Sequence, residues 1–174
     1  MRILLGSELD ATNKWFEMVR QEAIKSPCKR ARCGTVIARM YGDEIALGWG
    51  WNQPAGGVNP RCENLALRSG FKSDKTCCIH AEQVAIMHAL SRGREYDSHY
   101  ARLYFARVDD DGQLKPSGQP YCTICSKMAL HAGIKEWCLI HKAGVTVYDA
   151  TEYNELSYDY GDPVTTGPMG AYNG

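Results

Sequence analysis

Cys78–Leu90 reads CIHAEQVAIMHAL, and both the fold and the chemistry turn on this stretch. Val84, Ala85, Met87, Ala89 and Leu90 form one broad apolar side, so the spacing predicts a helix that begins near His80 and stops at Ser91–Gly93. His80 and Glu82 lie two apart where that helix begins, which fits either an ordinary helix start or half of a metal site. A second stretch, QPYCTICSKMALHAG from Gln119 to Gly133, places Cys122 and Cys125 on one side of the first turn of another helix. Backbone N–H groups and the helix dipole favour thiolates at that position. Alone, Cys-x-x-Cys fits a redox pair, a structural zinc half-site or coincidence. The histidine decides between them. Two cysteines and one histidine make three protein ligands and leave a tetrahedral zinc one position for water, which is the arrangement of a catalytic site. Glu82 is close enough to His80 to reach that water without being forced onto the metal, and so suits proton transfer.

The composition is consistent with a metal site. The chain has 174 residues and eight cysteines, and its length suffices for a buried core without disulfide staples. Its N-terminus, MRILLGSELDATNK, turns polar too early for a signal peptide, and no apolar run is long enough for a bilayer. A cytoplasmic location is therefore expected, and there metal ligation explains surplus cysteines better than disulfides do. Cys33 and Cys138 sit in or beside apolar runs and read as small buried residues. Twenty Lys and Arg balance twenty Asp and Glu, so no global field attracts a polynucleotide, and a membrane partner is not expected.

The remaining chain reads as alternating elements. Trp15, Phe16, Met18, Val19 and Ala23 follow helical spacing from about Thr12 to Lys25. CGTVIARM and EIALGWGWN, joined by the turn YGD, read as a hairpin. A long Gly/Pro-rich loop from Asn52 to Cys77 precedes the helix at His80. ARLYFARV, EWCLIH and GVTVYDA are further strands, and TEYNELSYDYG starts as a helix would. Strands alternating with helices in the second half imply parallel crossovers and a mixed sheet with helices on both faces. GWGWNQ lacks the third glycine of a dinucleotide loop. A single domain over 1–161 is expected, with 162–174 as a surface or mobile tail.

HAE at His80–Glu82 followed by PYCTIC at Pro120–Cys125 resembles the zinc-dependent cytidine/deoxycytidylate deaminase superfamily, whose signature is His-x-Glu…Pro-Cys-x-x-Cys. SPCKRARCGTVIAR followed by GWGWN is similar to the corresponding segments of deoxycytidylate deaminases, and the resemblance covers roughly residues 12 to 150. It implies an α/β, three-layer α-β-α fold with a mixed five-stranded sheet flanked by helices. It also implies His80, Cys122 and Cys125 as zinc ligands and Glu82 as proton shuttle in the hydrolytic deamination of a nucleobase. Tyr121 stands between Pro120 and Cys122, where the family has proline directly before cysteine. The ligand spacing survives, and the changed loop bears on the pocket wall.

The same resemblance implies a nucleotide substrate, dCMP first, with dUMP and ammonia as products. Asn52 is then a candidate for the sugar, and Ser26, Lys29 and Arg30 for the phosphate. Trp49 and Trp51, beside Asn52, are placed to stack a base. Cys28, Cys62 and Cys77 or Cys78, with His99, are candidates for a second, structural zinc. A nucleoside triphosphate effector and a homo-oligomer follow from the resemblance alone. Alternatives keep the chemistry with adenosine in tRNA, guanine or a free nucleoside as substrate, or make the chain a non-catalytic zinc scaffold. The acidic run Asp109–Asp111 argues against a tRNA surface.

Overall fold

The computed structural model describes residues 1–28, 30–57, 78–94 and 100–160. Lys29, Cys62, Cys77, His99 and the tail from 162 onward lie outside the described residues, as does most of the loop before Cys78. The first helix, α1, runs from Gly6 to Ile24, one and a half turns earlier than the apolar spacing indicates. Its buried positions Thr12, Trp15, Phe16, Val19 and Ala23 form a single stripe. Strands β2 (Arg32–Arg39) and β3 (Ala46–Trp51) pair antiparallel, as the hairpin reading requires. Helix α2 (Ala81–Ser91) follows, then β6 (Ala101–Val108), α3 (Thr123–His131), β8 (Glu136–His141), β9 (Gly144–Asp149) and α4 (Ala150–Tyr158).

Those five long strands are joined by short pieces that carry little sequence signal: β1 (Arg2–Ile3), β4 (Gln53–Pro54), β5 (Cys78–Ile79) and β7 (Leu114–Lys115). The main sheet has the order β1-β9-β8-β6-β2-β3, with β7 pairing β6. The crossover through α3 makes β6 and β8 parallel, and β8 turns directly into β9 as an antiparallel hairpin. The result is the three-layer α/β sandwich with a mixed sheet. On one face α1 covers Val36, Ala38, Tyr104, Ala106, Cys138 and Val147. On the other, α2, α3 and α4 cover Ile37, Leu103, Trp137, Leu139 and Tyr148. Alternate residues of each central strand serve opposite layers, as the period of two demands. Among the described residues no helix is long and apolar enough to cross a membrane.

The GWGW segment has a packing role. A Cβ built on Gly48 would lie 2.8 Å from both Ala89 Cβ and Ala89 N and would collide with the carbonyl oxygen of Ala85. One on Gly50 would meet Val84 Cβ at 2.8 Å. The two glycines thus let α2 lie directly on β3, and α2 carries Glu82. Gly48→Ala is expected to destabilise the fold by about 2–3 kcal/mol, because helix backbone cannot yield as a flexible side chain would. Denaturant unfolding reads this, and an unchanged midpoint would show that α2 is free to shift.

An ion network ties the edge of the sheet to α1. Arg102, 7% exposed, donates to Glu136 at 2.7 Å and to Glu8 at 3.1 Å, and Arg2 forks onto Glu8 at 2.6 and 2.7 Å. The Arg2 guanidinium, helped by Arg102, holds the Glu8 carboxyl down to about 2. A depressed folded-state pKa gives stability that is present above the ordinary carboxylate range and is lost as pH falls towards about 2. Glu8 is largely exposed, so solvent screening keeps the effect small. The gap in Tm between the natural chain and Glu8→Gln should therefore close as pH drops through that window. A gap independent of pH would exclude the ion pair as its source.

Candidate active site

Two helix N-termini converge on one point. His80 is the N-cap residue of α2, and its backbone N–H donates to the Gln83 side chain at 3.1 Å. Cys122 is the N-cap residue of α3, and its sulfur accepts from the Cys125 backbone N–H at 3.4 Å. His80 Nδ1 lies 3.2 Å from Cys125 Sγ and 3.3 Å from Cys122 Sγ. The three ligand atoms fall within 4.8 Å of one another, and both cysteines are buried. Ligands of one tetrahedral zinc, at ~2.0 Å for nitrogen and ~2.3 Å for sulfur, are separated by about 3.5 Å, so this cage has the right size and donor softness.

The electrostatics favour a thiolate at Cys122. A hydrogen bond with Cys125, aided by His80, holds the Cys122 thiol down to about 4, while Cys122 and burial push Cys125 up. The Cys122 sulfur in turn raises His80 to about 9. Glu82 sits one helical step inside α2 and is 7% exposed. Burial pushes its carboxyl up, and it stands two residues along from the cage residue His80.

The cage and Glu82 border a cavity of about 460 Å³ at the end of the sheet where β3 and β6 finish, a size suited to a small organic ligand. Its aromatic lining is Phe105, Tyr121, Tyr153 and Tyr160. Trp49 and Trp51, the aromatics expected beside a base, are not in the lining. Trp49 packs edge-on against His88 at 4.4 Å, and Lys25 lies over Trp51 at 5.2 Å. The inserted Tyr121 is accommodated by the C-terminal elements. Its ring meets Tyr160 edge-on at 4.5 Å. Tyr153 is itself stacked on Trp137 with ring centroids 3.9 Å apart.

Asn52 lines the cavity and is 8% exposed. Its Oδ1 accepts from the Ser26 hydroxyl at 2.7 Å and from the Cys33 N–H at 2.8 Å, and its Nδ2 donates to Ala31 O at 2.9 Å. That leaves one amide N–H without a partner in this set. Ser26 is buried behind Asn52, outside the lining, and holds the segment that leads into β2. Arg30 lines the cavity from that segment. Cys28 and Cys78 also line it, yet among the described residues the only group of three or more possible metal ligands is His80, Cys122 and Cys125.

The sequence reading overlooked Phe105, Arg107, Tyr153 and Tyr160. For Phe105 and Arg107 a signal existed: strand alternation puts both on the face of Leu103, and an arginine ending an apolar strand face is unusual enough to mark a site. Tyr153 and Tyr160 reach the cavity only through the packing of α4, which no local pattern reports.

A His/Cys/Cys cage with two buried cysteines and a carboxylate beside it, set on a mixed sheet between helix layers, is what a zinc-binding α/β domain requires. A model of the cytidine and deoxycytidylate deaminase zinc-binding region matches residues 10–141, and the chain belongs to that family. The deoxycytidylate deaminase of Schizosaccharomyces pombe (strain 972 / ATCC 24843) is 32% identical over 129 residues, which cover 70% of this chain and 34% of the relative. The chain therefore spans about a third of the length of that curated relative. The crystal structure of cytidine deaminase from Burkholderia pseudomallei is similar with a TM-score of 0.50 and 16% identity, over 86% of this chain and 96% of that one. That likeness shows the fold. The dCMP deaminase from cyanophage S-TIM5, crystallised with dCMP and dUMP, gives a TM-score of 0.49 and 20% identity over 77% of this chain and 82% of that one.

Proposed function

We propose that this protein is a zinc-dependent deaminase that hydrolyses a cytosine nucleotide, dCMP, to dUMP and ammonia. The observation that carries the reading is the buried Glu82, which lines the same ligand-sized cavity as His80 and Cys122 of the His80–Cys122–Cys125 cage. His80, Cys122 and Cys125 would hold one zinc, which when bound supplies the Lewis acidity that makes water nucleophilic near neutral pH. Glu82 accepts the proton of the attacking water and passes it to the ring nitrogen, so that the amino-bearing carbon can take the new C–O bond. It then carries the second water proton to the departing amine as the C–N bond breaks, and ammonia leaves. Atoms balance as dCMP plus water giving dUMP plus ammonia.

The surrounding residues position the substrate in this scheme. Asn52 offers its remaining amide N–H to the sugar, and Ser26 acts through Asn52 by fixing its orientation. Arg30, with Lys29 beside it in sequence, approaches the phosphate. Phe105 and Tyr121 supply the aromatic wall against the base. A second zinc at Cys28, Cys62 and Cys77 or Cys78 would show as two metal ions per chain on elemental analysis.

The test is ammonia release by the zinc-loaded protein from dCMP, CMP, deoxycytidine, cytidine, guanine and an adenosine-containing tRNA stem-loop. Turnover of dCMP above the others supports the reading. Preference for another base moves the substrate and keeps the chemistry. No release from any of them, with zinc bound, would favour the non-catalytic zinc scaffold.

A further inference from the structure

The cavity lining carries charge of one dominant sign although the chain as a whole is neutral. Its single carboxylate among the described residues is Glu82, beside the cage residue His80, whereas Arg30 and Arg107 both belong to the lining. Arg107 stands on the strand at the core of the molecule. Ala101, Leu103, Phe105 and Arg107 share one face of β6, with Leu103 fully buried and Phe105 and Arg107 both lining the cavity. Across the sheet Arg107 pairs with Cys33, another lining residue, and on the other side with Lys115 of β7.

The position is half-buried, yet Arg107 forms no ion pair among the described residues, and its guanidinium donates only to Pro116 O at 3.3 Å. The acidic run that follows is turned elsewhere. Asp109 accepts the Gln113 N–H at 2.8 Å, and Asp110 and Asp111 are exposed. A guanidinium has five N–H donors in a fixed fork. Drawing one partly out of water without a counter-ion is unfavourable unless an anion meets it. The fork suits a phosphate in two-point contact.

We propose that Arg107 is the phosphate anchor of this cavity. Its guanidinium pairs with the 5′-phosphate of a nucleoside monophosphate whose base lies at Glu82 and the cage, and Arg30 meets the same phosphate from the segment before β2. This rests on the nucleotide-deaminase reading above. It adds a phosphate contact from the end of β6 that the motif residues do not supply, and it makes the monophosphate, not the free nucleoside, the form selected.

The test is equilibrium binding of dUMP and of deoxyuridine to the zinc-loaded protein, run in parallel on Arg107→Ala and Arg107→Gln. Gln keeps part of the stem and an amide donor for Pro116 O. The natural chain is expected to bind dUMP at least about 30-fold more tightly than deoxyuridine, the scale of a charge-assisted two-point contact. Both variants should bring that ratio to within about threefold. A natural chain without the preference, or variants that keep it, would overturn the anchor. So would variants that weaken both ligands equally, since that marks a structural role. Ammonia release separates the two ideas. Preference for dUMP without turnover of dCMP refutes the deaminase reading and leaves the anchor standing. Equal turnover of dCMP and deoxycytidine refutes the anchor and leaves the chemistry.

Discussion

Replacing Glu82 by Gln is expected to lower kcat for deamination by about 10³- to 10⁴-fold while zinc stays at about one ion per chain. Gln keeps the size and shape of the side chain at a site where only 7% of the residue is exposed, so the surrounding packing is preserved. It cannot carry a proton between water, ring and amine. None of the three cage ligands is touched. Thermal stability should be unchanged or slightly higher, because the substitution removes a carboxylate whose charge burial disfavours. The pairing of intact metal content with lost turnover is the signature of a proton carrier. Loss of both together would make Glu82 a structural residue of the cage, and retention of full activity would dismiss the mechanism.

Cys125→Ser should act at the metal itself. Cys125 is fully buried, its sulfur lies 3.2 Å from His80 Nδ1, and its backbone N–H caps α3 by donating to Cys122. Serine keeps the backbone contact but offers a hard, protonated oxygen where zinc prefers thiolate. Outer-shell changes alone cost 10- to 100-fold in metal affinity. Loss of one of three ligands is therefore expected to cost about 10³-fold or more, read by competition with a chromophoric chelator. The effect should reach the fold. A zinc held at 1,000 times its Kd adds about 4 kcal/mol to the stability of the natural chain, and the variant should gain almost none of it. Chelator should lower the Tm of the natural chain accordingly and leave the variant nearly unmoved. Full zinc content in Cys125→Ser would remove this cysteine from the ligand set.

Much of this was legible without coordinates, for reasons that differ by element. The periods of ARLYFARV and EWCLIH are strand periods and the structure has strands at those residues, while CIHAEQVAIMHAL and CTICSKMALH carry helix spacing together with their own helix starts. The candidate cage of His80, Cys122 and Cys125 was legible as a group because metal ligation restricts both residue type and spacing, and helix starts place such residues predictably. Short strands such as β1 and β7 left no pattern, since two residues cannot display a period. The early start of α1 was hidden because its first turns face solvent, where polar and apolar residues are equally tolerated.

The candidate His/Cys/Cys group, with Glu82 beside it, and the layers that hold it were thus local matters of sequence. The shape and charge of the cavity those groups face come instead from the packing of distant elements. Ser26 proved to lie behind Asn52, Trp49 and Trp51 to lie outside the lining, and Tyr153 and Arg107 to line it. The physical reason is range. A ligand pair at fixed spacing is a local pattern, whereas a cavity wall joins side chains from β2, β6, β8 and α4, and their meeting depends on how Gly48 and Gly50 let α2 close on the sheet.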